Sequence, residues 1–218
     1  MRQVVGKATR KLPAEQFAQV RSAYRRLVLD IGTGDGKHAL ATARRQPDAL
    51  VLGMDASADA MRPASARAAA KPARGGVPNA IFVWASVEQL PAELVDVDEV
   101  HVLMPWGSLL RAMVRPDADV LRGIACACSA DARFLVTLNL HAWRPPVPEV
   151  GVTPEPTPDC AAGQLAAAYA SSGWRIKSAD YLSPEQVAEL ATSWTKRLRS
   201  SRDQLDVLAL RGRIEPGT

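Results

Sequence analysis

The chain has 218 residues, enough for one domain with a full core, and its 27 Lys and Arg against 23 Asp and Glu leave a formal net charge of +4. Hydrophobic residues make up 47% and no run of 18 apolar residues occurs, which argues against both a disordered chain and a membrane span. The basic N-terminus lacks the apolar stretch of a secretory leader and the cysteines are few and odd in number, so a soluble, cytoplasmic protein is expected.

The chain opens on a weak hairpin, Gln3–Val5 and Ala8–Lys11 around Gly6-Lys7, and a helix over Ala14–Tyr24. The apolar run Leu27-Val28-Leu29-Asp30-Ile31 then reads as a buried parallel strand, Arg26–Ile31. Gly32-Thr33-Gly34-Asp35-Gly36-Lys37 reads as its turn into a helix, Lys37–Gln46. Glycines there let a ligand touch bare backbone, and a helix N-terminus offers free N–H groups. The spacing D-x-G-x-G-x-G differs from the G-x-G-x-x-G of nicotinamide-binding loops. It resembles the first motif of class I S-adenosylmethionine (SAM) methyltransferases. SAM carries a cationic amino group and a sulfonium, both of which favour a carboxylate such as Asp30. Gly32, Thr33, Gly34, Asp35 and Gly36 are expected to line it. A second strand, Ala49–Asp55, ends in an acid 25 residues after Asp30, near where a carboxylate for a ribose diol belongs, with Ala56 beside it. A structural glycine turn in another α/β fold is the plainer alternative.

After a helix over Ala58–Ala70 comes a third strand, Ala80–Ser86, and the loop Ala85-Ser86-Val87-Glu88-Gln89-Leu90-Pro91. The matching loop of class I methyltransferases holds the adenine of SAM, which makes Ala85, Ser86 and Glu88 candidates. Glu88 alternatively serves as an acid favoured by the dipole of a short helix, Glu88–Leu94. The fourth strand, Glu99–Pro105, runs into Leu103-Met104-Pro105-Trp106-Gly107-Ser108. Leu103 and Ser108 fall on the cosubstrate side of this motif. Enzymes that methylate exocyclic amines resemble it, with Asp or Asn where Leu103 stands. The group that would hold an exocyclic amine is therefore missing, while an aromatic platform remains. A ring nitrogen such as adenine N1 carries a free lone pair at pH 7 and needs no general base. The product base is cationic, and an indole face beside it stabilises that charge by about 1–2 kcal/mol when desolvated. A core or hinge Trp is the alternative for Trp106.

A helix over Ser108–Ala130 places Cys126 and Cys128 in an Ala-rich stretch, as small core filler rather than metal ligands. A fifth strand, Arg133–Leu140, precedes residues 141–160, whose six prolines make a long extended loop over the sheet's carboxyl edge. A helix over Ala161–Ser171 and two strands, Trp174–Leu182 and Leu205–Leu210, follow, the last two as an antiparallel edge pair. Between them lies a helix with Ser183 as N-cap, Pro184 first and Gln186 closing a capping box. The same segment, residues 183–202, carries Thr192, Trp194, Lys196, Arg197, Arg199 and Arg202. Trp106 and Trp194 facing across a gap would sandwich a flipped base, with the cations on its backbone. A solvated basic helix with one buried Trp is the alternative. Trp84 and Trp174 read as packing residues, and Trp143 is undecided. Arg2, Lys7, Arg10 and Lys11 form one basic cluster, and Arg62, Arg67, Lys71 and Arg74 another. Each reads alone as a solvated face. Together they are expected to form one docking surface, since the loop after the second strand lies on the ligand edge. His38, His101 and His141 show no ligand spacing, and no metal site or Ser–His–Asp set is visible.

Strand–helix alternation predicts an α/β fold: one domain over 1–218, with a seven-stranded, mostly parallel sheet, helices on both faces and the hairpin of residues 1–12 appended. The motifs quoted, above all Pro105-Trp106-Gly107 with Trp194-Thr195-Lys196-Arg197-Leu198, closely resemble the aminoglycoside-resistance 16S ribosomal RNA adenine-N1 methyltransferases of the Kam type, over nearly the whole chain. The resemblance implies SAM as cosubstrate, S-adenosylhomocysteine as product, and adenine 1408 of the assembled 30S subunit as target. It also implies a monomer without metal or membrane. Trp106 and Trp194 would sandwich the base, with the Pro105 carbonyl and the Thr192 hydroxyl near it. Arg197 and Arg202 would contact rRNA, and the hairpin and the loop after the second strand would dock on it. A small-molecule methyltransferase and a non-catalytic, SAM-sensing RNA-binding module are the competing readings.

Overall fold

The computed structural model describes residues 1–144, 149–192 and 207–215. Its strands are β1 (Arg2–Val5), β2 (Ala8–Lys11), β3 (Arg26–Ile31), β4 (Ala49–Asp55), β5 (Ala80–Trp84), β6 (Val97–Leu103), β7 (Cys128–Asn139), β8 (Trp174–Tyr181) and β9 (Val207–Ile214). They form one sheet in the order β2-β1-β5-β4-β3-β6-β7-β9-β8. The five strands β3 to β7 are parallel, and β9 and β8 close one side as the expected antiparallel pair. The hairpin is not an appendage. β1 pairs antiparallel with β5, so the sheet has nine strands rather than seven.

The central strands are apolar throughout because both faces are covered. Leu27, Leu29 and Ile31 point with Leu50, Leu52 and Met54 into one core, under α1 (Ala14–Ser22), α4 (Gly107–Val114) and α5 (Ala118–Ala127). Val28 and Val51 point the other way, under α2 (Lys37–Arg45) and α3 (Ala58–Ala68). The expected helix over Ser108–Ala130 is two helices. Pro116 sits in the break, Asp117 caps α5 by accepting from the N–H groups of Asp119 and Val120, and β7 already begins at Cys128. Cys126 is exposed and so is not core filler, whereas Cys128 is buried and burial pushes its thiol pKa up to about 12. The short helix expected over Glu88–Leu94 is only a 3-10 turn, Val87–Gln89.

The chain runs from β3 outward to β4 and β5, then returns to lay β6 on the other side of β3. At such a reversal the connections at the carboxyl ends of β3 and β6 leave in opposite directions and open a crevice. The turn after β3 makes this possible. Gly36 has φ +71°, and a Cβ there would lie 2.5 Å from Phe82 and 2.6 Å from Ala64. Gly36→Ala is therefore expected to destabilise the fold by about 2–4 kcal/mol, from the left-handed backbone and the overpacking combined. A urea midpoint indistinguishable from wild type would contradict this.

The Pro-rich segment lies against α4. Arg115 reaches the Thr153 hydroxyl (2.6 Å) and the Val150 carbonyl, and Arg111 pairs with Glu149 at 2.9 Å. The Trp143 indole donates to the Pro154 carbonyl. These ties brace the helix whose N-terminus follows Trp106. The helical stretch beyond consists of α6 (Pro158–Cys160), a π turn over Ala161–Leu165 and α7 (Ala166–Ala170). The capping box at Ser183, expected from sequence, starts α8 (Pro184–Glu189).

Candidate active site

The crevice at the carboxyl edge has two adjoining parts. The larger, about 290 Å³, is lined by Gly32 and Gly34 on one side, Asp55 and Ala56 on a second, Ala85, Ser86 and Glu88 on a third, and Pro105, Trp106 and Ser108 at its mouth. The smaller, about 160 Å³, is lined by Asp30, Thr33, Asp35, Leu103 and Thr192. Gly32, Gly34 and Met104 belong to both. Every cosubstrate candidate read from sequence lines one part or the other except Gly36, which is buried in the turn beneath them.

Two carboxylates set the electrostatics. Asp55 ends β4 and binds both adjoining turns: one oxygen accepts from the Gly34 N–H at 2.9 Å and the other from Ser57 N–H at 2.8 Å. Each oxygen keeps a further lone pair for a hydroxyl. Asp30 is 1% exposed, and its carboxylate accepts from the Thr33 hydroxyl at 2.5 Å. The donor set suits SAM. One carboxylate faces the larger part where a diol is to be held, a second faces the smaller part where positive charge is to be balanced, and Ile31, Met54 and Leu109 add an apolar wall to the larger part. Asp55→Ala should weaken SAM binding by about 1–3 kcal/mol through loss of a charged acceptor. Calorimetry on the folded variant checks this, and unchanged affinity removes the assignment.

Trp106 stands at the mouth, 41% exposed, in extended backbone at the start of α4. Before it, Met104 holds φ +47°, and its N–H is received by the Thr137 carbonyl and hydroxyl, at 2.9 and 3.0 Å. Such a backbone costs about 1–3 kcal/mol and persists where the surroundings enforce it. It turns the chain out of β6 so that Pro105 and Trp106 overhang the crevice. The Thr192 hydroxyl lies 3.6 Å from the Met104 sulfur, so α8 brings Thr192 to the smaller part of the crevice, beside the residue that both parts share. Trp194, Lys196, Arg197, Arg199 and Arg202 lie outside the described residues.

Sequence reasoning missed Met104, whose backbone strain leaves no local signal, and His38, which lines the smaller part from α2. Trp84 packs against the core under α2 and α3 as expected, but it is only half-buried. Its indole donates to the Ala56 carbonyl at 2.9 Å, and the Arg2 guanidinium lies 3.8 Å over its ring. Trp174 is packing as expected, wholly buried against Phe134 and Tyr169. The basic clusters separate. α3 carries the chain away from the crevice, and Ala80, where β5 begins, pairs with Val51 early in β4. The exposed Lys71 and Arg74 therefore lie at the amino edge, not the ligand edge. They neighbour the hairpin turn, where the Gly6 N–H donates to Ser65 of α3 at 3.0 Å. Arg2 and Arg10, also exposed, lie toward the carboxyl edge, and Lys7 lies at the turn.

A family model described as NpmA, 16S rRNA (adenine(1408)-N(1))-methyltransferase, matches residues 2–213. The chain is 56% identical over 216 residues to a 16S rRNA (adenine(1408)-N(1))-methyltransferase of Streptoalloteichus hindustanus, covering 99% of this chain and 100% of the relative. Its fold matches the crystal structure of the 16S rRNA methyltransferase KamB with a TM-score of 0.95 and 56% identity, over 99% of this chain and 100% of the other. It matches a single-site mutant of the Catenulisporales acidiphilia 16S rRNA (adenine(1408)-N(1))-methyltransferase, solved with its cosubstrate SAM, with a TM-score of 0.90 and 33% identity, over 99% and 97% of the two chains. A crevice with a carboxylate on each side and an indole at its mouth thus sits in a chain that belongs to the 16S rRNA (adenine(1408)-N(1))-methyltransferase family.

Proposed function

We propose that the protein methylates N1 of adenine 1408 in 16S rRNA with SAM as cosubstrate, giving aminoglycoside resistance. It would act in the cytoplasm, as a one-domain monomer without metal, on the assembled 30S subunit. Among the described residues no helix is long and apolar enough to cross a membrane. The observation that carries the reading is the joining of the carboxylate-flanked crevice to the exposed Trp106, with Leu103 where an amine-holding acid or amide would stand.

Bound in the crevice, SAM supplies an electrophilic methyl group. Asp55 and Asp30 would hold its two polar ends, and the backbone of Gly32 and Gly34 would line its site. Adenine N1 already has its lone pair at neutral pH, so the chain needs no general base. Its work is to hold the flipped base in line, which is a positioning task. Trp106 offers one stacking face and Trp194 the other. The Pro105 carbonyl can accept from the exocyclic amine of the base, and Thr192 lines the smaller part of the crevice. The product adenine is cationic and bears a methyl on its pairing edge, which repels cationic drugs from the decoding site.

Tritiated SAM with purified 30S subunits, naked 16S rRNA or bulk protein, followed by primer extension, tests the reading. Label in the RNA and a reverse-transcription stop at adenine 1408 are expected. Label in small molecules alone, or SAM and 30S binding without turnover, overturns it.

A further inference from the structure

A buried chain of polar groups runs from the crevice to the surface, and the function above leaves it unused. His38 of α2 and His101 of β6 are each 5% exposed. His38 Nε2 lies 2.9 Å from His101 Nδ1, and the rings meet edge to face. The outer nitrogens both meet acceptors: His38 Nδ1 lies 2.5 Å from the Leu190 carbonyl, and His101 Nε2 lies 2.9 Å from a Glu99 oxygen. The other Glu99 oxygen pairs with Arg133 at 2.8 Å.

Counting protons decides what this chain holds. Two acceptors end it and one ring–ring bond lies in the middle, so three contacts need three protons on four nitrogens. Two neutral imidazoles carry only two. With two, either the Leu190 carbonyl loses its donor or the two ring nitrogens face each other with lone pairs, and the Thr42 hydroxyl, 3.2 Å from His38 Nε2, can serve only one of them, which is costly in a buried site. The satisfied state holds one extra proton. The surrounding charges agree. Burial pushes His38 below its ordinary pKa; Asp30 of β3 and the Leu190 carbonyl partly offset it, while a charge on His101 and Arg45 of α2 also disfavour a charge there. Burial opposes ionisation of Glu99, but His101, Arg133 of β7 and Arg26 of β3 outweigh it, so its carboxyl lies below the usual range. An extra proton shared along the chain lies nearest the ion-paired Glu99 carboxylate at the His101 end, and His38, whose outer nitrogen meets only a neutral carbonyl, donates from Nδ1 to Leu190.

Leu190 is where this matters. It follows α8 and packs with Leu103, Met104 and Val187. The next residue, Ala191, holds φ +53°, and Thr192 then reaches Met104 in the crevice. A carbonyl fixed from beneath, directly before a left-handed residue, sets the direction in which Thr192 is presented to the crevice.

We propose that His38 is a positioning residue, which uses the proton shared with His101 to tether the Leu190 carbonyl and so fix the Thr192 side of the acceptor site. This rests on the methyltransferase reading. It makes tethering pH-dependent: the pair is fully bonded while the proton is held, and as pH rises through its loss one proton is contested by Leu190 and His101. His101→Leu removes the contest. Neutral His38 then serves Leu190 from Nδ1, while Nε2 accepts from the Thr42 hydroxyl, 3.2 Å away.

The test is single-turnover methylation of 30S subunits at saturating SAM between about pH 6 and 9, spanning the imidazole range. The wild-type rate is expected to fall with rising pH, and His101→Leu to flatten that fall with SAM affinity unchanged. His38→Leu should lose about ten- to a hundredfold of the rate at every pH, as misplacement of an acceptor site does, and His38→Asn, which keeps a donor for Leu190, should recover part of it. Imidazole nitrogen shifts of the wild-type protein, read without any substrate, should show one ring of the pair doubly protonated at the low end of the range. Both rings neutral there, identical pH profiles for wild type and His101→Leu, or a wild-type rate in folded His38→Leu overturns the tether. Absence of methylation by the wild-type protein itself overturns instead the function on which it rests.

Discussion

Trp106→Ala is expected to cut single-turnover methylation of 30S subunits by about fivefold to more than a hundredfold, with folding and SAM affinity close to wild type. The size follows from one lost stacking face, about 1–3 kcal/mol per base, at 1.36 kcal/mol for each factor of ten in rate. The sparing of the fold follows from placement. The indole is 41% exposed at the crevice mouth, so its removal opens no sealed cavity. The core beneath is filled instead by Leu109, Leu110 and Met113 of α4. Trp194→Ala should behave alike if the second indole covers the other face. The double variant should then fall well below either single one, because an unstacked base is held by neither side. Trp106→Phe, which keeps a π face, should retain more activity than Trp106→Ala. Near-wild-type rates for both alanine variants would sink the sandwich and return the indoles to packing roles.

The parts of this fold legible in the sequence are those fixed by short-range pattern. β3 and β4 run Arg26–Ile31 and Ala49–Asp55 as expected, because strands buried on both faces announce themselves as unbroken apolar runs ended by an acid. The glycine turn and the capping box at Ser183 are equally local. What the sequence hid depends on elements meeting through space. His38 and His101 have no ligand spacing, yet the parallel pairing that sets Asp30 beside His101 also brings α2 onto the second histidine. Lys71 and Arg74 look continuous with Asp55 along the chain, but α3 carries them to the opposite edge of the sheet. Met104 carries positive φ in a residue type that gives no warning of it. Pro116 was legible as a breaker, and the apolar periodicity on either side of it masked the break.

Assembled 30S subunits are expected to be methylated far faster than naked 16S rRNA, with binding that falls steeply with salt. The exposed cations are spread rather than gathered. Arg2 and Arg10 lie toward the carboxyl edge with the crevice, while Lys7, Lys71 and Arg74 lie at the amino edge, about 16 Å away along the 11 residues of α3. The sheet holds the two groups at a fixed separation, since β1 pairs with β5 and the hairpin turn bonds to α3. A partner that engages both while delivering a base to Trp106 must present phosphates at matching fixed positions. Folded rRNA within a subunit does so. Free rRNA must first order itself, at a cost in conformational freedom that weakens binding. Five or six such contacts would lower affinity by about a thousandfold between roughly 50 and 200 mM salt. Lys71→Glu with Arg74→Glu should weaken 30S binding and reduce that salt slope, while SAM affinity and the fold stay unchanged, because both side chains are exposed and far from the crevice. Filter binding across a salt series, with methylation measured on both substrates, checks each part. Equal rates on naked 16S rRNA and on 30S subunits would remove the need for a preformed surface and reduce the amino-edge cations to solvated charge.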